Sequence, residues 1–319
     1  MCLLALLNTN DNILIECPTF FNSILYFYDF KFKNLFPIKR EEDGQFDFEK
    51  LEKIVIEKNI KLMNLVTTFS NPLGLNLNYE SRKKLYQLSL KHKFYIISDD
   101  IYEFLYLDEL AREIPLIFCD GVNEIKNRPN FEYLKSYKNE YNPYIISLNS
   151  FNKLVGPQAK VGFIHCHSSI IDKFLKLATV IAQPFNLNSQ MIRSYIELGY
   201  MDSSAEIHRK VIKRKCQILV DEISKSKNIK FNIPQGGYFI FVKLNDNIDI
   251  EKLHKISFEN ELGYFKGEIS TLKSCFEEGN EYLYLKRYVR LAFSYLEDSI
   301  LAEAGKLFVK LVDECEIKN

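Results

Sequence analysis

Apolar runs of strand length alternate with amphipathic helical stretches through the first part of the chain. Residues 12–16 read as a strand, and Asp47 then stands as the N-cap of a helix with Phe48, Leu51 and Val55 on one face. The run 62–69 predicts the next strand. Asn78 caps a second helix that turns Leu85 and Leu88 inward, and 94–98 is again a strand. This β-α-β-α order predicts an α/β fold, a mostly parallel sheet sandwiched by helices. The apolar start Met1-Cys2-Leu3-Leu4-Ala5-Leu6-Leu7 has neither the basic flank nor the cleavage pattern of a signal peptide, and reads as the tail of an amphipathic helix.

Residues 110–143 are polar, spotted with aromatics and without period, and are expected to form a mobile surface insertion. Helices follow over 168–200. From about 203 the pattern changes to a helix, a turn at Pro234-Gln235-Gly236-Gly237, a strand over 238–242 and a closing helix over roughly 297–313. The expected division is therefore a large domain over 1–202 and a small domain over 203–319, which suits a chain of 319 residues.

Charge and cysteine usage narrow the class. Forty-two basic residues balance 42 acidic ones, so nothing electrostatic points to nucleic acid. The densest basic cluster, Arg209, Lys210, Lys213, Arg214 and Lys215, interleaves with the apolar stripe Ile212, Cys216, Leu219 and Ile223 and is expected to be a solvated helix face. Seven scattered cysteines without CxxC spacing predict reduced thiols in a cytoplasmic protein. No apolar stretch has the length of a membrane span.

The chemistry-bearing residues sit where a parallel sheet would gather them. Lys153 ends Ser150-Phe151-Asn152-Lys153, just after the apolar run 144–148. An amine delivered there into a half-dry pocket is neutral enough to attack a carbonyl. Asn71-Pro72-Leu73-Gly74 follows the run 62–66, and Asp99-Asp100-Ile101-Tyr102 follows 94–97. Asn71, Asp99 and Lys153 each fall past a strand's carboxyl end, where such sheets place their sites. Arg290, in Tyr288-Val289-Arg290-Leu291-Ala292-Phe293-Ser294, lies on a strand with one buried side. Asp100 reads as a turn or helix cap. His165 and His167 alternate onto one strand face, but no further ligands accompany them, so they read as structural imidazoles rather than a metal site. Ser150-x-x-Lys153 also matches serine acyl-enzymes, yet the Ser-Asp-Asn and Lys-Thr-Gly of that class do not occur.

In this order the motifs resemble the class I/II, fold-type I pyridoxal-phosphate aminotransferases, nearest to the 2-aminoadipate, kynurenine and valine–pyruvate group, from about Leu4 to the last helix. The resemblance implies the large domain of that fold followed by a smaller α+β domain. It implies pyridoxal 5'-phosphate as cofactor and a ping-pong, Schiff-base transfer of the α-amino group of an amino acid to a 2-oxo acid. Lys153 would be the Schiff-base lysine and proton carrier, and Asp99 the carboxylate on the pyridine nitrogen. Tyr102 and Asn71 would hold the phenolate oxygen, and Asn71 would also border the substrate. Phe20 stands where the family stacks a tyrosine on the ring, Ser150 and Lys160 lie on the phosphate side, and Arg290 clamps the substrate carboxylate.

Departures from the pattern lie on the phosphate side. Asn152 replaces a usual serine, Lys160 replaces a usual arginine, and no Gly-Ser/Thr turn precedes the first helix. The chain is thus expected to be truncated at its N-terminus, without the family's first edge strand, dimer arm and part of its lid. Residues 161–164 would then form an exposed sheet edge. Either the reading frame is incomplete or the protein is a truncated paralogue, and the intact Lys153, Asp99, Tyr102, Asn71 and Arg290 favour the first. A homodimer is expected where the missing segment exists. The alternatives are a pseudoenzyme with weak cofactor binding, a non-catalytic cofactor sensor, and a lyase or decarboxylase on the same fold. No DNA-binding segment accompanies the sensor reading.

Overall fold

The computed structural model describes residues 1–119, 142–156, 158–181, 186–276 and 280–317. The first sheet holds β1 (Asn12–Cys17), β2 (Asn34–Lys39), β3 (Leu62–Leu65), β4 (Tyr95–Asp99), β5 (Ile145–Ser150) and β6 (Gly162–Cys166). Its order is β2-β1-β3-β4-β5-β6, parallel up to β5, with β6 running antiparallel at the edge. The second is antiparallel, β7 (Ile229–Phe231), β8 (Phe239–Leu244), β10 (Tyr288–Ala292) and β9 (Phe265–Lys266) in that order. The helices are α1 (Cys2–Leu6), α2 (Phe21–Asp29), α3 (Phe48–Glu57), α4 (Tyr79–His92), α5 (Ser168–Ile181), α6 (Asn186–Glu197), α7 (Tyr200–Ile223), α8 (Ile250–Glu259) and α9 (Asp298–Glu314). None among the described residues is long and apolar enough to cross a membrane.

Alternation along each strand explains the layers. Leu14, Met63, Leu65, Ile96 and Ile145 face α3 and α4, whereas Ile13, Ile15, Leu62, Ile97 and Ile146 face α1, α2 and α5. The helix starts follow their caps. Asp47 accepts hydrogen bonds from the backbone N–H groups of Glu49 and Lys50, and Asn78 accepts one from Ser81. In the second sheet Ile240, Val242, Leu244, Val289 and Leu291 pack on α7 and α9. Phe239, Phe241, Tyr288 and Arg290 occupy the other face, where Phe241 joins the core of the first sheet.

Three expectations need correction. The strand over 62–69 stops at Leu65, because buried charged side chains capture the next backbone groups. Glu16 accepts from Val66 N–H, and Arg82 donates to the Thr67 carbonyl at 2.8 Å. Of the supposed surface insertion, Ile114, Leu116, Ile117, Phe118 and Cys119 are core residues packed on α4 and β5 through a short 3-10 turn too brief to show a period. Its remainder, 120–141, lies outside the described residues. The basic cluster is a solvated face only in part. Arg209 lies over the Tyr106 ring at 4.3 Å, and Lys215 donates to the carbonyls of Ser294 and Leu296. The helix expected from about 203 is α7, which begins at Tyr200.

The two sheets are joined by the turn before β8. Gln235 N–H donates to the Gly74 carbonyl at 2.8 Å, and its side chain accepts from Asn76 N–H at 2.8 Å. At Gly236 an added Cβ would meet the Phe69 ring at 2.4 Å. Gly236→Ala is therefore expected to lower unfolding free energy by about 1–3 kcal/mol, the usual cost of overpacking, as read by urea denaturation.

Candidate active site

The carboxyl ends of β4 and β5 meet the inner face of the second sheet, and side chains from all three converge there. Ser150 closes β5, and its Oγ accepts from Asn152 N–H at 3.2 Å, turning the chain so that Lys153 follows within one 3-10 turn. The Lys153 Nζ lies 5.7 Å from the Tyr102 ring centroid and 5.8 Å from that of Tyr238. Burial holds its pKa below the usual lysine range; Asp99 opposes this and Arg290 adds to it.

Asp99 is the last residue of β4 and lines a cavity of about 490 Å³ together with Phe20, Phe27, Asn64, Leu148 and Ile164. Burial in these apolar walls, then the adjacent Asp100, pushes its carboxyl up to about 7, against the Ile101 N–H and the more distant Lys153. Phe20 is half-buried and meets Phe21 edge-on at 5.2 Å.

Asp100 is not a cap. It is fully buried and accepts from Thr67 Oγ1 at 2.5 Å, Ser98 Oγ at 2.8 Å and Ser147 Oγ at 2.5 Å. A carboxylate cut off from water needs such donors, and here they tie β4, β5 and the chain after β3 together.

Asn71, Tyr102 and Arg290 form one hydrogen-bonded chain. An Arg290 guanidinium N–H donates to Asn71 Oδ1 at 2.7 Å, and the Asn71 amide bonds the Tyr102 hydroxyl. Burial, chiefly, and the Asp99 charge hold the Tyr102 phenol above its usual range. Arg290 has no carboxylate partner among the described residues. Its guanidinium sits 4.1 Å from the Phe239 ring centroid and 4.4 Å from that of Phe265, and its buried Nε has no hydrogen-bond partner. A desolvated, unpaired guanidinium with a spare donor is built to receive an anion.

The structure thus brings Lys153, Asp99, Tyr102, Asn71 and Arg290 into mutual contact or electrostatic reach, with Phe20 on the Asp99 cavity. Lys160 stands apart: it is exposed, with a left-handed backbone at φ 48°, between β5 and β6. His165 packs between the rings of Phe118 and Phe163, and the His167 Nδ1 accepts from Ser169 N–H at 3.1 Å at the start of α5.

Sequence reasoning passed over four supporting residues. Glu16 and Arg40 form a fully buried ion pair at 2.7 Å; for both, burial outweighs pairing and shifts the pKa toward the neutral form, Glu16 to about 7. Arg82 is fully buried and spans the carbonyls of Leu77, Thr67 and Ile114. Its signal was present, since the inward stripe of Leu85 and Leu88 runs back through position 82. Tyr238 is the fourth, and nothing in its local pattern marks it.

The raised Asp99 carboxyl makes a pH prediction. Between the unfolded value near 4 and about 7, the folded chain holds a proton that the unfolded chain has released. This contribution to stability is full below pH ~4 and is lost as pH rises through about 7. Urea unfolding at pH 5 and pH 8 is expected to show wild type losing at least about 1.4 kcal/mol more than Asp99→Asn over that interval, the worth of one pKa unit.

The family model described as "Aminotransferase class I and II" matches residues 1–276. An uncharacterized aminotransferase of Saccharolobus solfataricus is 26% identical over 82% of this chain and 62% of its own length. A 2-aminoadipate transaminase of Thermus thermophilus is 23% identical over 82% of this chain and 61% of its own. The chain therefore spans about three fifths of the length of these relatives. Among solved structures, the alpha-aminoadipate aminotransferase LysN of Thermus thermophilus, complexed with N-(5'-phosphopyridoxyl)-L-leucine, superposes with a TM-score of 0.78 at 21% identity, covering 98% of this chain and 74% of that one. That likeness is one of fold. The family match extends over most of the chain, and the protein belongs to the class I and II aminotransferases.

Proposed function

We propose that the protein is a transaminase that moves the α-amino group of an amino acid to a 2-oxo acid in two half-reactions, using pyridoxal 5'-phosphate. The observation that carries this reading is that the Lys153 amine lies over the Tyr102 ring within electrostatic reach of the Asp99 carboxyl and of Arg290, which hydrogen-bonds Asn71. When bound, the cofactor supplies an aldehyde carbon and a ring that withdraws electron density from the substrate α-carbon.

The residues present fit that ring. Asp99, in an apolar cavity beside Phe20, would sit against a protonated ring nitrogen, and such a cation favours the ionised carboxyl that burial alone disfavours. Tyr102 and Asn71 offer donors for an oxygen anion. On the phosphate side the Ser150 hydroxyl at the end of β5 would contact the phosphate, whereas Lys160, exposed and apart from the cluster, would have to approach it. Lys153, its amine pKa lowered by burial, moves the substrate α-proton through its Nζ. Arg290 fixes the substrate carboxylate, and its aromatic flanks keep water from that ion pair. The free, buried thiols of all seven cysteines support a reducing, cytoplasmic setting. Leu25, Tyr26 and Phe30, exposed on one helical stretch, support association into a homodimer.

Borohydride reduction with pyridoxal 5'-phosphate is expected to add a phosphopyridoxyl group to the Lys153 peptide, and Lys153→Ala to abolish it; label elsewhere alone would refute the assignment. Amino acid added to the loaded protein should release its 2-oxo acid. A bound cofactor that leaves amino acids unchanged would instead support the sensor. Arg290→Gln is expected to lower kcat/KM for the amino acid about 10- to 100-fold, the worth of charge-assisted hydrogen bonds.

A further inference from the structure

Lys153 is held from behind as well as flanked. The Tyr238 O–H donates to the backbone carbonyl of Lys153 at 2.8 Å, and the His208 Nε2 lies 2.8 Å from the same phenol oxygen. A phenol has a single proton and a carbonyl can only accept, so that proton is committed to Lys153. His208 must then be the donor in its own contact, with hydrogen on Nε2. Burial, reinforced by Arg209, holds His208 below the usual histidine pKa, so near neutral pH it is the uncharged Nε2–H tautomer.

The Tyr238 backbone leaves the phenol little freedom. Gly237 N–H donates to the Leu105 carbonyl at 2.9 Å, and the Tyr238 carbonyl accepts from Phe293 N–H at 3.1 Å. The ring stands edge-on to Tyr102, with centroids 5.8 Å apart, so the two tyrosines wall the Lys153 amine between them. The charged groups that face this amine are Asp99 on β4 and Arg290 on β10, one attracting and one repelling. His208 belongs to α7, and Tyr238 enters β8, so both reach Lys153 from the second sheet and its helices.

We propose that Tyr238 is a positioning residue for the Lys153 amine, held in turn by His208, so that the C-terminal part of the fold sets where this amine sits and how far water reaches it. Without the phenol hydroxyl the turn bearing Lys153 loses its tie, and the amine gains water and reverts toward ordinary lysine behaviour. The effect is transmitted through backbone position, and neither Tyr238 nor His208 needs to touch substrate. The inference rests on Lys153 being the reactive amine, but it can be read with no cofactor present.

The experiment is competitive acetylation of the cofactor-free chain across a pH series. Mass spectrometry follows the Lys153 peptide, with exposed Lys213 as internal reference. In wild type, Lys153 is expected to reach half-labelling at lower pH than Lys213. Tyr238→Phe, which keeps the ring, should move that midpoint upward by about half a pH unit or more. His208→Ala should move it in the same direction, whereas His208→Gln, whose amide can still donate to the phenol, should stay near wild type. A Tyr238→Phe midpoint equal to wild type, or a His208→Gln midpoint equal to that of His208→Ala, overturns the proposal. If Tyr238→Phe does not fold, the two His208 variants decide by themselves. Failure here would leave borohydride trapping at Lys153 intact, whereas failed trapping with these midpoints as expected would overturn only the transaminase reading.

Discussion

A stretch of buried backbone that belongs to no strand, residues 66–77, must find hydrogen bonds for its peptide groups, and the site depends on how it does so. Charged side chains supply them. Glu16 takes the N–H of Val66, while Arg82 reaches the carbonyls of Thr67 and Leu77. Arg40 balances Glu16 and donates to the Gly44 carbonyl at 2.5 Å. Removing one partner of such a buried pair typically costs about 3–5 kcal/mol, because the other charge is stranded. The arrangement is costly in desolvation, and what it secures is geometry: Asn71 is carried past the end of β3 to a fixed point beneath Arg290.

The same dryness governs the groups proposed to react. Asp99, Lys153 and Arg290 are each shifted toward their neutral forms, and burial is the leading cause in all three. Under the proposed function, a ligand carrying a cationic ring edge and a carboxylate would stabilise the charged forms of Asp99 and Arg290. Arg290 makes the point most clearly, since aromatic faces rather than a carboxylate surround it. A protein carboxylate in that position would occupy the donors that the proposed substrate carboxylate would use.

Assembly of the two sheets is the other condition. Gly236 and Gly237 let the turn before β8 lie against Phe69 and Leu105, where a side chain on Gly236 would collide. That close approach places Tyr238 over Lys153, and Phe239 beside Arg290. A displacement of this turn would thus disturb the amine and the guanidinium together.

Local order is legible in the amino-acid pattern itself. Alternation along the strands, the caps at Asp47 and Asn78, and the placement of Lys153 and Asp99 at strand ends are encoded within a few residues of each other. The early stop of β3 is not, because it depends on Glu16 and Arg82, which lie far from Val66 and Thr67 along the chain. Nor is the burial of 114–119, whose apolar residues follow no period until α4 and β5 provide the surface they fill. Asp100 resembles a cap because its three hydroxyl partners come from separate segments. By itself the amino-acid order determined the alternating layers and the placement of Lys153 and Asp99 at strand ends, since periodicity and capping act over one or two turns. Only the tertiary structure decided that Arg290 meets Asn71 and that Tyr238 holds Lys153, because a buried polar group takes its character from whichever partners folding delivers from a distance.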